Sequence, residues 1–501
     1  MSLKTLFALA VLLLLAAGSV TFYVAGQEPG PLVNVHGPAS LGRESAQFDV
    51  SVDAMGTKLT RLNATLEQGA LRFPVFALDA PGDARFLQET PHRVRITRPV
   101  SAKGFAGLKD GPAKLVIDAE RTVLFGLRRL GTAASKDITI RTTLPTLAVV
   151  STFHYVKLGG AEMIVYRATP ADVTSGVLVG DRYYPGYPAS GVGGAKNVDP
   201  ALRVAFFALM FDQDMGVPMS LVARDAAGNT TTIPFDHKVL ADKFHRSRVP
   251  IDDRLLSRVV PAILKDTPGL KLPAGTPEER LAAFLTINRD VRKANADQIE
   301  TLSKDTSPTL LWRGLFGRMA RAASAAVFAD HRTYMYAGKE IDQQVHLGVD
   351  LASVRGAAVS AANAGRVVFA GPLGIYGNCV IIDHGMGLQT LYAHLSAVEV
   401  EKGDSVSGGE VVGRSGETGL AGGDHLHFTT LVAGRPVNPV GWWDPHWIAD
   451  RIDRKLLAAG IVTTPLGTAV ANDTAAPAKP ARTKAAPKKK AGAPARARRR
   501  R

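Results

Sequence analysis

The sequence contains a single cysteine in 501 residues, so no disulfide framework can hold the fold together. Cys379 lies in the apolar run Cys379-Val380-Ile381-Ile382, and we interpret it as a small buried hydrophobic residue, not a metal ligand. The sequence also lacks a Gly-rich phosphate loop, a Ser/His/Asp nucleophile elbow and a Cys-x-x-Cys pair. These absences argue against nucleotide, serine-hydrolase and thiol redox chemistry.

Acidic residues are absent from 475–501, whose 11 Lys or Arg account for most of the formal net charge of +15. The wider segment 465–501 is rich in Ala, Pro, Lys and Arg, a composition that cannot bury a core and predicts a disordered tail. Clustered cations are typical of nucleic-acid binding, but they also bind anionic wall polymers and lipids. Wall or lipid contact is the expectation over nucleic acid if the chain is exported. A solvated tail without a partner stays the alternative.

Charged residues are also missing from Thr5 to Ala25, an apolar segment that follows Lys4. A helix of this length can cross ~30 Å of hydrocarbon at 1.5 Å per residue, whereas a cleaved signal peptide has an apolar core of about 7 to 15 residues. We therefore predict an uncleaved membrane anchor over residues 1–27, with a cleaved signal as the alternative. Lys4 before the segment and Glu28 after it predict that the bulk of the chain lies on the periplasmic or extracellular side.

Histidine is concentrated in one part of the chain: seven of the 12 lie between 331 and 446, where even scatter would place about three. The seven are His331, His346, His384, His394, His425, His427 and His446. His425 and His427 are two residues apart, so on an extended strand both imidazoles face the same side. Imidazoles and a carboxylate suit zinc, and three protein ligands leave a fourth position for water. We interpret His384 and His446 as structural, the commoner role of a lone His.

His346 and Asp350 flank Gly348. A straight strand would hold them about 13 Å apart at ~3.3 Å per residue. Glycine has no side chain and lets the backbone bend, so both residues can reach one ion.

Four motifs follow one another in this region: His-x-Gly-x-Asp at 346–350, Tyr-Ala-His-Leu at 392–395, Gly-x-Thr-Gly at 416–419 and His-Leu-His-Phe at 425–428. In sequence and order they resemble the lysostaphin-type zinc endopeptidases, which cut peptidoglycan peptides. The segments 385–395, 403–413 and 437–439 resemble the β-strand framework of that family. The resemblance implies an antiparallel β peptidase domain over 331–450.

The resemblance implies one zinc ion per chain, with His346, Asp350 and His427 as ligands and His394 and His425 as the catalytic pair. An imidazole that titrates near neutral pH can take a proton from the attacking water and return it to the leaving amine, while the other orients water or stabilises the oxyanion. Which imidazole has which role is left open. Two positions depart from the family pattern: Asp424 stands where Pro is common, and Thr429 where Glu is common. Neither is a ligand, so they bear on the surroundings of the site and on substrate preference.

The rest of the chain predicts a mostly β, multidomain protein. Short alternating runs broken by Gly, Pro and Asp predict β-rich domains over 28–148 and 149–237. The segment 220–230 resembles the last hairpin of bacterial immunoglobulin-like domains, so we interpret both as immunoglobulin-like β-sandwiches. Their role is spacing or docking, or that of folded linkers.

Residues 238–330 predict a helical connector that packs on the peptidase. Thr276 provides an N-cap hydroxyl, Pro277 the first helical residue and Glu279 the third. Apolar residues then recur at helical spacing from Leu281 to Leu302. Regulation of access to the cleft by this connector or by the β domains is a further hypothesis, with plain packing as the simpler one.

Together these features predict a membrane-anchored zinc endopeptidase of the cell envelope that cuts peptide stems or cross-links of peptidoglycan. The alternative is a catalytically silent scaffold that activates a separate wall amidase. Such degenerate relatives typically lose ligands, so the presence of all five site residues favours the enzyme.

Overall fold

A computed structural model of the chain describes residues 2–193, 195, 197–267 and 269–466. The predicted basic tail therefore lies outside the described residues from position 467 onward. Over the described ranges the chain is mostly β, with few helices.

Helix α1 (Leu3–Ala25) forms the N-terminal segment, as the sequence predicts. Ser2 caps it by accepting a hydrogen bond from the backbone N–H of Thr5. Among the described residues it is the one helix long and apolar enough to cross a membrane, and none of its 18-residue apolar window is buried against the other described residues. A membrane anchor and a signal sequence both fit these properties.

The first β region contains nine strands, which form a four-stranded sheet (β1-β3-β7-β6) and a five-stranded sheet (β2-β9-β8-β4-β5). The strands are β1 (Leu32–Gly37), β2 (Ser40–Leu41), β3 (Ala46–Asp53), β4 (Lys58–Gln68), β5 (Leu71–Ala77), β6 (Arg85–Thr90), β7 (Arg93–Val100), β8 (Gly111–Val123) and β9 (Arg128–Ile140). Alternate residues of both sheets, among them Phe48, Leu62 and Ile117, share one buried core.

The second β region also contains two sheets, each of four strands, ordered β10-β12-β16-β15 and β14-β13-β17-β18. Its strands are β10 (Thr146–Val149), β11 (His154–Lys157), β12 (Ala161–Thr169), β13 (Thr174–Val179), β14 (Arg182–Pro185), β15 (Tyr187–Pro188), β16 (Leu202–Ala208), β17 (Met219–Arg224) and β18 (Thr230–Pro234). Strand β11 pairs in parallel with β19 (His237–Leu240). The assignment of both regions as immunoglobulin-like stays a prediction, because two sheets around one core are common to many sandwich folds.

The connector contains strand β20 (Arg246–Ile251) and helices α2 (Asp253–Lys265), α3 (Pro277–Thr286) and α4 (Arg292–Leu302), with a π-helical turn from Ile287 to Val291 between the last two. The predicted start of α3 is confirmed: Thr276 and Glu279 form a reciprocal capping box, with Pro277 in the first turn. Phe284 packs against Tyr334 of the C-terminal domain, with ring centroids 5.8 Å apart. The connector therefore packs on the peptidase-like part, as expected.

The C-terminal domain is built on an eight-stranded sheet. Seven of its strands follow the path β21-β24-β32-β28-β27-β26-β30, and β33 pairs with β32 as the eighth. The other strands of the domain lie in two smaller sheets, β20-β22-β23 and β25-β31-β29. Its strands are β21 (Ala323–Ala326), β22 (Asp330–Tyr336), β23 (Lys339–His346), β24 (Val349–Ala352), β25 (Ala358–Ser360), β26 (Gly365–Pro372), β27 (Asn378–Asp383), β28 (Leu388–Leu395), β29 (Ala397–Val398), β30 (Ser405–Val406), β31 (Val411–Arg414), β32 (Leu426–Val432) and β33 (Arg435–Val437). Short helices α5 (Pro445–Ile448) and α6 (Arg454–Ala458) follow. The buried core of this domain is continuous with that of the second β region.

Candidate metal centre and active site

Three predicted ligands converge between neighbouring strands. His346 ends β23, Asp350 lies in β24, and His427 lies opposite Asp350 in β32. His346 Nε2 lies 2.9 Å from Asp350 Oδ1 and 2.9 Å from His427 Nδ1, and the third separation, His427 Nδ1 to Asp350 Oδ1, is 3.1 Å. All three side chains are buried and each offers an atom that could hold a metal ion.

The outer nitrogens of both imidazoles are already committed to acceptors. His346 Nδ1 donates to the Val327 carbonyl at 3.0 Å. His427 Nε2 lies 3.0 Å from the Thr429 hydroxyl, which itself donates to the Leu347 carbonyl, so His427 must donate to Thr429. The inner nitrogens therefore present lone pairs to each other at 2.9 Å, an arrangement that a shared cation stabilises. The donor set fits zinc, which binds imidazole and carboxylate.

Gly348 is required for this convergence. A Cβ added there would lie 2.4 Å from Cε1 of His427 and 2.5 Å from the Thr429 hydroxyl, closer than real contacts allow. The chain also leaves β23 after His346 and enters β24 at Val349. The predicted bend at Gly348 is therefore confirmed. The close approach of His427 and Thr429 is a second reason why this position needs glycine.

Asp350 is held ionised by its neighbours. Its Oδ1 faces the imidazoles, while its Oδ2 accepts a hydrogen bond from the Arg332 guanidinium at 3.1 Å. Burial raises the pKa of Asp350, but the imidazoles that surround the carboxylate, His346 above all, outweigh burial and hold the pKa well below its usual range. Asp330 lies 3.4 Å from the same guanidinium and fixes its other side.

The predicted catalytic pair faces the same cluster. The rings of His394 and His425 have centroids 4.9 Å apart, and His394 lies 5.7 Å from the His427 ring. His394 Nδ1 donates to the Thr418 carbonyl, and His425 Nδ1 donates to the Gly423 carbonyl, each at 2.8 Å. In both residues Nε2 is left as the atom that can exchange a proton.

The two imidazoles of the pair differ electrostatically. Burial, together with the nearby His425 and His427, lowers the pKa of His394 well below its usual value. Burial also lowers the pKa of His425, but Asp350, whose Oδ1 lies 3.5 Å from its Nε2, raises it by more. Burial lowers the pKa of His427 to about 4, so this ring stays neutral, the form that binds a metal.

A groove of about 660 Å³ opens beside the cluster, between the connector strand β20 and the loop at Gly422–Asp424. Arg332, Asp350 and His425 lie on its wall. A smaller cavity of about 120 Å³ contains the ligands themselves and is bounded by Arg292 of α4. Of the five site residues, Asp350 and His425 line this groove, and His346, His394 and His427 line the smaller cavity.

Sequence reasoning missed three contributors to this site. Arg332 anchors Asp350, the Thr418 carbonyl orients His394, and the Tyr376 ring lies 5.6 Å from the His427 ring. One feature of the sequence could have pointed to these contacts, namely the turn of the β22–β23 hairpin. Its turn at Ala337-Gly338 sets a register in which Asp330 lies opposite His346.

Cys379 and His384, two of the residues predicted to be structural, are buried as expected, whereas His446 is exposed in α5. Cys379 is buried in β27, and burial raises the pKa of its thiol. His384 is fully buried, donates from Nδ1 to the Ala364 carbonyl and contacts the Thr390 hydroxyl through Nε2. Asp424, one of the two positions that depart from the family pattern, accepts hydrogen bonds from the Ser415 hydroxyl and the Gly356 N–H.

Residues 344–439 match the family model described as Peptidase family M23, so this part of the chain is an M23 peptidase domain. The chain is 47% identical over 97 residues to the DD-carboxypeptidase/endopeptidase Mpg of Neisseria meningitidis, covering 19% of this chain and 22% of the relative. It is 44% identical over 93 residues to the peptidoglycan DD-endopeptidase ShyA of Vibrio cholerae, with the same two coverages. The chain thus matches about a fifth of the length of these relatives.

Among solved structures, the catalytic domain of the antimicrobial peptidase lysostaphin from Staphylococcus simulans is 27% identical. The match covers 24% of this chain and 92% of that one, with a TM-score of 0.21.

Proposed function

We propose that this chain is a zinc-dependent endopeptidase that hydrolyses peptide stems or cross-links of peptidoglycan during cell-wall remodelling. The observation that carries the proposal is the convergence of His346, Asp350 and His427 next to His394 and His425, whose Nε2 atoms are free to exchange protons. The names of the similar proteins, a DD-carboxypeptidase/endopeptidase and a peptidoglycan DD-endopeptidase, support the choice of substrate class.

The residues present fit amide hydrolysis. A zinc ion held by His346, Asp350 and His427 supplies the Lewis acid that this chemistry needs. One Nε2 of the pair His394 and His425 accepts the proton of the attacking water and passes it to the leaving amine nitrogen. The other donates a hydrogen bond to the oxygen on which negative charge develops. Their Nδ1 hydrogen bonds to backbone carbonyls fix both rings for these transfers.

The remaining site residues position the substrate and the ligands. We expect the groove beside the cluster to accept an extended peptide with the scissile bond next to His425, which lies on the groove wall. Arg332 keeps Asp350 oriented through its Oδ2, so the carboxylate presents Oδ1 to the metal position.

The enzyme acts in the cell envelope, anchored by α1 with its bulk on the periplasmic or extracellular side. The length and apolar surface of α1 support this placement. The basic tail adds contact with anionic wall polymers or lipids, an interaction that weakens with salt.

The test is digestion of purified muropeptides by the detergent-solubilised full chain, with fragments identified by mass. We expect new amine and carboxyl ends at one type of peptide bond, formed at least about a hundredfold more slowly by His394→Ala. A wild-type chain that binds zinc but releases no fragments, while stimulating a wall amidase, would replace the enzyme by the scaffold alternative.

A further inference from the structure

The turn between β8 and β9 exposes a cluster of apolar side chains. We call Leu124-Phe125-Gly126-Leu127 the hairpin tip. Phe125 is fully exposed and Leu127 is 78% exposed. Phe125 and Leu127, at the end of the long β8–β9 hairpin, do not pack against the core of the first β region, so their exposure needs another cause.

The backbone of the hairpin tip is held in an unusual conformation. Leu124 has φ 51° and Phe125 has φ 55°, followed by Gly126 with φ 95°. Two consecutive non-glycine residues in the left-handed region cost free energy, which is typical of segments shaped for a contact.

The hairpin tip adjoins the C-terminal end of α1. Ala25, Val123 and Leu130 form a small buried cluster with Leu124 packed against it. Arg128, the first residue of β9, follows the tip directly. Its guanidinium carbon lies 4.5 Å from the centroid of the Phe22 ring, and the guanidinium donates a hydrogen bond to the Phe22 carbonyl. The last turn of α1 and the tip therefore form one continuous apolar surface with a cation at its border.

The connection between α1 and the hairpin is fixed by buried contacts. Arg121 of β8 is 2% exposed and donates to the Pro29 carbonyl at 2.8 Å and to the Glu28 carboxylate at 2.9 Å. A Cβ on Gly30 would lie 2.5 Å from the Gly131 carbonyl oxygen, so the linker lies tightly on β9. The position of the tip beside α1 is thus set by the fold.

We propose that the hairpin tip inserts into the headgroup region of the lipid bilayer at the leaflet where α1 emerges, with Arg128 at its border against anionic lipid phosphates. This inference rests on the membrane placement of α1 under the proposed function. The 23 residues of α1 span about 35 Å at 1.5 Å each, slightly more than the ~30 Å hydrocarbon core.

The last turn of α1 therefore lies at the boundary between acyl chains and headgroups, and the tip lies at the same depth. Phenylalanine and leucine beside arginine are the composition that interfacial segments use, because the rings enter the boundary while the cations reach phosphate. A second membrane contact would hold the first β region at the bilayer surface and restrict the directions in which the peptidase domain can extend.

The experiment places an environment-sensitive fluorophore on full-length Phe125→Cys in nanodiscs. Labelling is selective because Cys379 is buried. Val354→Cys is the matched control, since Val354 is 75% exposed in the peptidase domain. We expect a blue-shifted emission that is quenched by nitroxide-labelled lipid and protected from iodide at position 125 only. Leu127→Cys should behave in the same way.

Two outcomes separate the inference from the function on which it rests. A chain that resists alkaline extraction but whose tip labels are quenched by iodide as strongly as the Val354→Cys label overturns the inference alone. A chain released by alkaline extraction overturns the anchor and with it the inference, yet leaves muropeptide cleavage untouched. Weaker quenching by nitroxide-labelled lipid supports the role of anionic headgroups if it appears when phosphatidylcholine replaces phosphatidylglycerol, or in Arg128→Gln. Quenching that neither change alters overturns that role.

Discussion

The hydroxyl of Thr429 lies 3.0 Å from Nε2 of His427 and is itself anchored on the Leu347 carbonyl at 2.8 Å. Thr429 thereby sets the tautomer of His427, so that Nδ1 carries the lone pair that faces Asp350 and His346. A position that departs from the family pattern thus has a defined task in this chain.

We predict that Thr429→Val lowers zinc affinity about 10- to 100-fold, the usual effect of losing a hydrogen-bond partner behind a metal-binding histidine. Thr429→Ser keeps the hydroxyl and should restore most of it. Thr430→Val is the matched control on the same strand, because the Thr430 hydroxyl has no hydrogen-bond partner among the described residues. Competition with a chelating dye measures the affinities, and equal values for Thr429→Val and Thr430→Val would contradict the prediction.

The proposed division between ligands and catalytic pair can be tested by alanine substitution. His394→Ala and His425→Ala should keep most of the zinc yet lose about a hundredfold or more in turnover, since each removes a proton-transfer group. His427→Ala should lose both metal and activity. His446→Ala, at an exposed position, is the control and should change neither. Loss of zinc from His394→Ala or His425→Ala to the extent seen in His427→Ala would show that residue to be a ligand.

The resemblance to the lysostaphin-type family pointed to the five residues that converge in the structure, because they lie in short motifs that the sequence shows directly. His346, Gly348 and Asp350 fall within five residues, and His425 and His427 within three. The groups that orient them come from distant parts of the chain: Arg332 reaches Asp350 across a hairpin, and Thr418 reaches His394 from a loop. Such contacts depend on strand register and loop path, which residue types do not encode at short range.

The rest of the fold divides in the same way into features that short sequence stretches encode and features that depend on distant residues. The start of α3 was predictable because its capping box is contained in four residues from Thr276 to Glu279. The parallel pairing of β20 with β22 joins residues about eighty positions apart and left no local trace. Whether the two β regions are immunoglobulin-like stays a prediction for the same reason, since strand order is a non-local property.

A buried ion pair joins the second β region to α6. Lys455 Nζ lies 2.7 Å from Glu162 Oε1 and 2.6 Å from the Met163 carbonyl oxygen, and both charged side chains are buried. Lys455→Met should lower the free energy of unfolding by up to about 3–5 kcal/mol, because it removes the nearer cation of a buried carboxylate and leaves only Arg451, 3.6 Å from Glu162.

Adding Glu162→Gln to Lys455→Met should recover part of that loss. Lys293→Met is the control: its pair with Asp297 is exposed on both sides, and such a pair contributes about 0.3–0.5 kcal/mol. Urea unfolding measures all three, and a loss for Lys455→Met no larger than that for Lys293→Met would contradict the account.

The link between the two β regions should weaken in acid. Asp110 accepts hydrogen bonds from the Thr142 hydroxyl at 2.5 Å and the Thr143 N–H at 3.1 Å. Burial raises the pKa of Asp110, but these hydrogen bonds outweigh it and lower the pKa from 3.8 to about 2. A depressed pKa means that the carboxylate stabilises the fold fully above its unfolded value and loses that contribution as the pH falls through the folded value.

The difference in unfolding midpoint between wild type and Asp110→Asn should therefore be constant above pH about 4 and shrink as the pH falls towards about 2. Urea unfolding at a series of pH values measures it. A difference that stays constant down to the lowest pH would show that the Asp110 carboxylate is not preferentially ionised in the folded state.

The most direct test of the central claim is zinc titration of the metal-stripped full chain, followed by muropeptide digestion at each step. The account predicts that cleavage rises with added zinc and reaches a plateau at one ion per chain, because His346, Asp350 and His427 form a single site. Asp350→Ala should bind no zinc at this site and stay inactive throughout. Full cleavage by the metal-free wild-type chain, or an Asp350→Ala variant that zinc activates equally well, would contradict it.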